Sequence, residues 1–522
     1  MTHSGLFPSR SNANIRPRDA GFSGLRDAWP PLIGVISVLM CLPFTRVMLS
    51  LSDEGVLANG AERLLHGQRL YADFFEFLPP GGFVLTAAWF SVAGISVLSM
   101  RLLAILLIAG TACLTFLTCR RASGHAPLSA ALTLGWILMS QGNGTQLSHH
   151  WFTTCFAMVT YWAVGNGGTR SRRWPFLAGL AAGAGAMVTP TRGALAMLAG
   201  LSGVVHQRGH WRRVGFYVSG GSIAPCGLLL YLAWTGTSRA AFDAVIVFTA
   251  TRYAGFQYVP FGSWADAQNI PLIAVFPAAF GLSLLIAAMR RFGGQSRRDI
   301  AFACAGFIGC FPRPDIFHIA FAVPLALPLL AGCVTRLSGP LRGSTRLAAA
   351  AITLLIMAPS LITYGGIVME SRGGITIQTA LGEVTWFGPP EAAEMLRRIA
   401  DLPANDRLLF YPLMALAPFL TGREDVSALD TYAPGYTLAA QYRDTCLAAV
   451  HRADYVVIDR RWTDPAALKN VFPAMRDPRP PATIAFEQAL DRGFVLTAAE
   501  GMLELRRRQP DIDVTICSGI AE

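Results

Sequence analysis

The sequence has 522 residues, of which 53% are hydrophobic and 14% are charged, with a formal net charge of +11. This composition excludes an ordinary soluble protein and predicts a polytopic α-helical membrane protein, because repeated apolar runs approach the ~20 residues that cross a bilayer. The arginines lie between the apolar runs, as the positive-inside rule expects, so the positive charge does not indicate a nucleic-acid partner.

The chain begins with a polar, basic segment at 1–28, which lacks an apolar signal core and is predicted to be a cytoplasmic tail. About 11 spans follow in the region 29–366, because the arginine clusters should be cytoplasmic and an odd number of spans carries the chain outside. The run Gly81 to Leu98 is predicted to be a re-entrant or interfacial segment, since a full span there would put Arg120 and Arg121 outside. The predicted spans are 29–50, 101–119, 127–143, 151–166, 175–190, 193–206, 214–234, 270–289, 299–312, 316–335 and 346–366.

The first outer loop, 51–80, is rich in acidic residues. Only eleven Asp and Glu occur between Met1 and Tyr364, and five of them fall in this loop: Asp53, Glu54, Glu62, Asp73 and Glu76. Carboxylates near hydrocarbon are costly and often mark a functional site, although ordinary solvated surface charges are the alternative. Asp53 is predicted to cap a helix that runs to His66 and ends at Gly67.

The composition changes near Gly365. The last part of the chain carries 21 further acidic residues, and short strand-like runs alternate with helical ones. We therefore predict a soluble α/β domain at 367–522 on the extracytoplasmic side. No glycine-rich phosphate loop follows its strands, so nucleotide binding is not expected. Cys446 and Cys517 show no metal or disulfide spacing and are predicted to be packing residues.

An ordered set of motifs carries a family resemblance. An Asp-Glu pair follows the first apolar segment, and then come an amphipathic helix, Tyr71-Ala-Asp73 and Pro-Pro-Gly81. Thr-Pro-Thr-Arg192 and the segment Arg313 to His318 follow later. Together they resemble the GT-C superfamily of integral-membrane glycosyltransferases, most closely the protein O-mannosyltransferase and lipid A aminoarabinose transferase branch.

The resemblance implies an inverting glycosyltransferase that uses a polyprenyl-phosphate-linked sugar. The acceptor would be a hydroxyl of a cell-envelope glycan, lipid or protein, on the outer face of a bacterial inner membrane. It implies that Asp53 is the catalytic carboxylate. The chemistry also needs cations for the leaving phosphate, a role that suits Arg192, Arg252 and Arg313. The predicted substrate-binding residues are Glu54, Tyr71, Asp73, Glu76, His149, His150, Arg192, Arg252, Arg313, Asp315 and His318.

The sequence departs from the family in the second outer loop. The family branch often has a second carboxylate there, and this chain has Gln146-Leu-Ser-His149-His150. The two histidines could carry protons, contact a lipid headgroup or bind a metal, so a divalent metal is possible and no cofactor is certain.

Two other classes of function stay open. The first is a transporter of lipid-linked sugars (a flippase), and the second is a non-catalytic partner in envelope assembly. The ionisable residues crowd the outer interface rather than the middle of the spans, which argues against a transporter. A cavity at Asp53 that opens both to lipid and to the outer aqueous side would favour the enzyme.

Overall fold

The computed structural model describes residues 28–140, 145–166, 171–205, 210–266, 269–289, 294–338 and 344–520. The predicted cytoplasmic tail therefore lies outside the described residues, except for Ala28. Part of the second outer loop (141–144) and five arginines of the basic loops, at 170, 208, 290, 291 and 342, also lie outside them.

The first two thirds of the chain form a helical bundle. Each of the eleven predicted spans contains a helix, but the first helix is shorter than expected: it ends at Cys41, and a short 3₁₀ turn leads from it to strand β1 (Val47–Met48). The helices are α1 Trp29–Cys41, α2 Asp53–Leu65, α3 Gly81–Ala93, α4 Val97–Ser123, α5 Ala126–Ser140, α6 His149–Asn166, α7 Arg173–Ala186, α8 Pro190–Val205, α9 His210–Thr235, α10 Ser238–Phe242, α11 Ala254–Phe256, α12 Ile270–Ala288, α13 Gly294–Ile308, α14 Ile316–Ala322, α15 Leu327–Ser338 and α16 Ser344–Glu370; a π-helical segment, Asp243–Tyr253, precedes α11.

Within the described ranges, α4, α9 and α12 are long and apolar enough to cross a bilayer. A fourth span results if Ile316–Leu325 and Leu327–Leu337, which meet at a 60° bend, count as one. Pro324 and Pro328 flank that bend, and proline breaks helical hydrogen bonding. The expected number of spans is therefore not confirmed. Helix α3 has 13 residues, about 20 Å, which is too short to cross the hydrocarbon core; its re-entrant position stays a prediction.

Helix α4 joins the two ends of the bundle. The Ser96 side chain accepts a hydrogen bond from the Ser99 N–H at its start, and Gly124, with φ of 73°, ends it. Arg101 near the start contacts Glu54 of the first outer loop, whereas Arg120 and Arg121 lie in the last turn. The acidic loop and the arginine pair are therefore at opposite ends of the bundle, which is the separation that the positive-inside argument requires.

The last part of the chain contains both helices and strands. Its strands are β2 Ile375–Thr379, β3 Gly382–Trp386, β4 Leu408–Tyr411, β5 Tyr455–Asp459, β6 Phe494–Glu500 and β7 Leu503–Arg508, and its helices are α17 Pro390–Ala400, α18 Leu416–Thr421, α19 Ala439–Arg452, α20 Pro465–Val471 and α21 Pro481–Gly493. One sheet has the order β4-β5-β7-β6, in which only β4 and β5 pair in parallel. The other has the order β1-β3-β2, with Val47 paired to Thr385. A strand of the membrane half thus belongs to a sheet of the C-terminal domain.

The two cysteines of the C-terminal domain form a disulfide. Cys446 of α19 bonds to Cys517, with the Cα atoms 5.9 Å apart and a sequence separation of 71. The prediction that both are unpaired packing residues was wrong. A separation of this length has no signature in the sequence, because the approach of the two residues depends on how α19 and the chain end pack.

Candidate functional site

The start of α2 is fixed against the C-terminal domain. The Leu416 N–H donates to the Leu51 carbonyl at 2.7 Å. Gly55 of α2 lies directly against the backbone of Leu416, since a Cβ at Gly55 would be 2.0 Å from the Leu416 nitrogen. Any larger side chain at position 55 would push the helix away. The C-terminal domain therefore sets the position of the Asp53–Glu54 pair.

Asp53 is the first residue of α2 and does not cap it. Ser52 occupies the capping position, so the predicted capping role of Asp53 was wrong. The Asp53 side chain is exposed and makes no hydrogen bond to any residue that the structure describes. Desolvation by the surrounding protein raises the pKa of Asp53 above its ordinary 3.8, against the opposing charges of Arg313 and His318. An unpaired carboxylate with a raised pKa has the properties of a general base.

Glu54 has the opposite environment. Its side chain is buried, and its Oε1 accepts hydrogen bonds from the Leu147 N–H at 2.8 Å and from Arg101. Arg101 also donates to the carbonyls of Thr145 and Val47. Glu54 was expected to bind substrate, but it instead joins the first loop, the second outer loop and β1. We regard it as a positioning residue.

Three histidines lie together behind Asp53. His149 and His150 begin α6, and their ring centroids are 3.9 Å apart. His318, in the first turn of α14, lies 4.7 Å from the His150 ring. The Nδ1 atom of His150 is buried and has no hydrogen-bond partner among the described residues. The structure thus brings together histidines that the sequence placed in the second outer loop and at the start of a later span.

Arg192 lies beside these histidines. Its Nε atom donates to the Gly309 carbonyl at 2.9 Å, whereas its Nη2 atom is buried and has no partner within the described ranges. A cavity of about 20 Å³ adjoins Arg192, and Thr153 and Gly309 also line it. An unmet guanidinium N–H is costly inside a protein, so this position suits an anion.

Arg313 is occupied by protein partners. It donates to Asp315 at 3.0 Å, to Gln257 Oε1 at 2.7 Å and to the Val471 carbonyl at 3.2 Å. Its guanidinium also lies 4.7 Å from the centroid of the Trp264 ring. These contacts attach the last outer loops to the C-terminal domain. Arg313 therefore adds positive charge near Asp53 while few of its N–H groups are left for a ligand.

Asp315 orients His318. Asp315 Oδ1 accepts from the His318 N–H at 2.9 Å and lies 2.8 Å from His318 Nδ1. The carboxylate is buried, and its other oxygen accepts from Arg313. Asp315 therefore fixes the orientation of the His318 ring relative to His149 and His150, as carboxylate partners of catalytic histidines do.

The other predicted residues lie away from this group. Arg252 is exposed, and no described residue bonds to it. Asp73 forms a surface pair with Arg69, and the Tyr71 hydroxyl donates to the Leu78 carbonyl at 2.7 Å. Glu76 is buried close to Arg63 instead. None of the four is placed with Asp53 by a described contact.

Glu76 belongs to a group that we call the loop–domain seam. Arg63 of α2 pairs with Asp430 at 3.1 Å and donates to the Ser427 carbonyl at 3.1 Å. Asn59 donates to Asp430 Oδ1 at 2.7 Å. The seam consists of Asn59, Arg63, Glu76, Asp425 and Asp430. It holds α2 on the C-terminal domain.

The sequence reasoning missed two residues of the site. Tyr253, at the end of the π-helical segment, lies within electrostatic reach of Asp53, Arg192 and Arg313. Gln257 accepts from Arg313. Nothing in the sequence distinguishes this tyrosine from other interfacial aromatics.

Within the described ranges, no group of three or more His, Cys, Asp or Glu side chains is arranged so that it could hold a metal ion.

No family model matches the sequence, and no curated protein matches it. Solved structures do. Crystal structures of ArnT from Cupriavidus metallidurans, one bound to undecaprenyl phosphate and one in the apo state, match with a TM-score of 0.57 at 13% identity. The match with the bound form covers 93% of this chain and 99% of ArnT. The chain has the fold of these two structures.

A second structure agrees. The arabinofuranosyltransferase AftD from Mycobacteria matches with a TM-score of 0.52 at 14% identity, over 93% of this chain and 40% of AftD. This chain therefore corresponds to less than half of that larger protein. The resemblance inferred from the motifs around Asp53 and Arg192 is confirmed for the fold, and the apolar helices agree with a membrane protein.

Proposed function

We propose that the protein is a GT-C glycosyltransferase that moves a sugar from a polyprenyl-phosphate donor to an acceptor hydroxyl. The observation that carries this proposal is the state of Asp53: an exposed carboxylate with a raised pKa and no hydrogen-bond partner among the described residues. Histidines and the unmet Arg192 N–H lie behind it. A fold relative bound to undecaprenyl phosphate supports a polyprenyl-linked donor.

In the proposed reaction Asp53 takes the proton of the acceptor hydroxyl. The acceptor oxygen bonds to the anomeric carbon while the bond from that carbon to the phosphate oxygen breaks, which inverts the configuration. The leaving phosphate keeps the electron pair. Arg192 stabilises its charge through the N–H that has no protein partner, and Arg313 contributes at longer range.

The polyprenyl chain has a candidate groove next to the site. An apolar cavity of about 100 Å³ lies between α5, α12 and the bend that separates α14 from α15. Trp136, Leu272 and Val323 line it, and the Trp136 indole donates to the Ala320 carbonyl at 2.8 Å. Helix α14 carries His318 in its first turn and ends at this cavity. The cavity would therefore hold the lipid chain of a donor whose phosphate lies in the site.

The acceptor is proposed only as a class: a hydroxyl of an envelope glycan, lipid or protein. The site and the C-terminal domain are proposed to face the outside of a bacterial inner membrane. The disulfide Cys446–Cys517 supports this side, because disulfides persist in oxidising compartments. Cysteine labelling near Arg423 tests it: labelling only from the cytoplasmic side would contradict the orientation.

Turnover of a lipid-linked sugar by the purified protein tests the function. The protein is reconstituted in liposomes with undecaprenyl-phosphate-linked sugars and envelope acceptors, and the released undecaprenyl phosphate is measured. Wild-type protein should release it and Asp53→Asn should not. Movement of the donor across the bilayer without release would instead support a transporter.

A further inference from the structure

A second charged group lies at the end of the bundle opposite Asp53, where α4, α6, α13 and α15 meet. We call it the inner-face arginine site; it contains Arg121, Tyr161, Arg298, Asp299 and Arg336. This end is predicted to be cytoplasmic. The proposed transfer reaction uses none of these residues.

Arg298, near the start of α13, is the centre of this site. Its side chain is 15% exposed, and its guanidinium lies 5.6 Å from the centroid of the Tyr161 ring. Its aliphatic part lies along Gly203, where a Cβ would be 3.5 Å from Cγ. Among the described residues, Nη2 donates to Asp299 at 3.2 Å, while Nε is buried without a partner. The helix start adds further positive potential.

A second arginine approaches the same place. A Cβ at Gly165 would lie 1.9 Å from Arg121 Nη1 and 3.0 Å from Arg298 Nη1. The two guanidinium groups are therefore neighbours, and both lie against the backbone of Gly165, which has no side chain. Arg336 lies within electrostatic reach of Asp299. Three cations thus face one carboxylate. Asp299 begins the predicted span 299–312, and the loops predicted to be cytoplasmic contain no acidic residue apart from those of the N-terminal tail.

Several buried polar atoms in this turn of α13 have no hydrogen-bond partner among the described residues. Besides Arg298 Nε, the Ser296 hydroxyl oxygen and Asp299 Oδ2 are buried and lack partners in the described part of the chain. Buried polar atoms are nearly always paired, so three unpaired ones within four residues indicate an absent ligand. The unmet groups include a cationic donor and an anionic acceptor. A ligand that carries both a phosphate and a hydroxyl satisfies both.

We propose that the inner-face arginine site binds the headgroup of an anionic phospholipid. The phosphate would accept from Arg298, while Arg121, which donates to the Trp162 carbonyl and to Asn166, would add positive charge beside it; a headgroup hydroxyl would donate to Asp299. Arginine forks suit phosphate oxygens, and basic pockets between membrane helices on the cytoplasmic side bind acidic headgroups. The positive-inside rule accounts for arginines in the exposed loops, but it does not account for a buried N–H left without a partner.

Lipid retention by the full-length protein tests the proposal. The protein is purified in detergent with equal amounts of phosphatidylglycerol and phosphatidylcholine, and bound lipid is measured by native mass spectrometry. Wild type should retain phosphatidylglycerol preferentially, and Arg298→Gln should lose roughly tenfold in that preference. Arg297→Gln is the matched control: it removes the same charge one residue away from an exposed side chain, and should behave as wild type.

Several outcomes would overturn the proposal. Equal losses in Arg298→Gln and Arg297→Gln would show that diffuse charge attracts the lipid. Equal competition by glycerol 1-phosphate would assign the site to a soluble phosphate compound, and no lipid preference in wild type would leave an acidic protein partner as the occupant.

If Arg298→Gln does not fold, Arg298→Lys replaces it. Lysine keeps the charge but lacks the guanidinium fork, so retention equal to wild type would refute the proposed phosphate geometry. Arg192→Met should leave retention unchanged, which separates this site from the proposed donor site.

Discussion

Asp53 and Glu54 are neighbours in sequence, and the structure places them in two contrasting regions. Glu54 and Arg101 belong to a packed region where the carboxylate and the guanidinium bond to each other and to backbone groups, and only Nε of the three guanidinium nitrogens lacks a partner among the described residues. Asp53 and Arg192 belong to a region with unmet polar atoms. Stability depends on matching polar groups, whereas binding and catalysis need groups left unmatched for a ligand. Substitutions in the two regions should therefore have different effects.

The largest effect on activity is expected for Asp53→Asn. The amide keeps the size of the side chain but cannot accept the acceptor proton, so transfer should fall by roughly a thousandfold or more. The unfolding temperature should stay near that of wild type, since Asp53 has no described hydrogen-bond partner. Rates of sugar release by the purified variant check this, and activity near wild type would refute the assigned role.

The largest effect on folding is expected for Arg101→Met. It leaves Glu54 as a buried charge without its cationic partner, which should cost about 3–5 kcal/mol. The double variant Arg101→Met/Glu54→Gln should recover part of this loss because it removes the uncompensated charge. Thermal unfolding in detergent measures both effects.

A nearby surface pair provides the control for Arg101. Arg46 pairs with Glu383, but both side chains are largely or partly exposed, so Arg46→Met should change stability by about 1 kcal/mol or less. A loss at Arg46 as large as that at Arg101 would contradict the contrast between buried and exposed pairs.

A smaller and more specific effect is expected for Arg192. Arg192→Lys should raise the dissociation constant of the lipid-linked donor by roughly tenfold, because an ammonium group loses the fork that reaches both Gly309 and a phosphate. Arg192→Met should weaken binding further while destabilising the protein less than Arg101→Met. Arg239→Lys is the control, since Arg239 is a fully exposed side chain of an outer loop. Donor binding unchanged in both Arg192 variants would move the phosphate site elsewhere.

The sequence alone predicted where the helices lie better than it predicted the long-range contacts that their side chains make. Apolar runs located the bundle, and outer-face polarity located Asp53, Arg192 and the histidines. The contact between Asn59 and Asp430, however, joins residues 371 positions apart. Likewise, Arg101 lay inside a predicted span with no sign that it would turn toward Glu54. Such contacts depend on how α2 packs on the C-terminal domain, which periodicity along one chain does not encode.

The seam is a third kind of region: its charges are not balanced, and Asp430 Oδ2 is buried without a hydrogen-bond partner among the described residues. One cation, Arg63, faces Glu76, Asp425 and Asp430. Burial raises the pKa of Asp425 to about 8, with the Arg63 charge opposing it and the Asp430 charge adding to it. Burial also raises the pKa values of Glu76 and Asp430. The seam therefore holds more protons than the unfolded chain does around neutral pH.

The smallest effect that we predict is the pH dependence of this seam. A carboxyl group whose pKa is raised on folding stabilises the fold fully below its unfolded pKa, near 4, and loses that contribution as the pH rises to its folded value, near 8. Stability should fall across this window. Asp425→Asn, which stays neutral, should flatten the slope and unfold at a higher temperature than wild type at pH 8, with Glu76 and Asp430 leaving a residual slope. Asp444→Asn, an exposed acid of α19, should leave the wild-type slope unchanged. A slope for Asp425→Asn as steep as that of wild type would show that Asp425 is ionised in the folded protein.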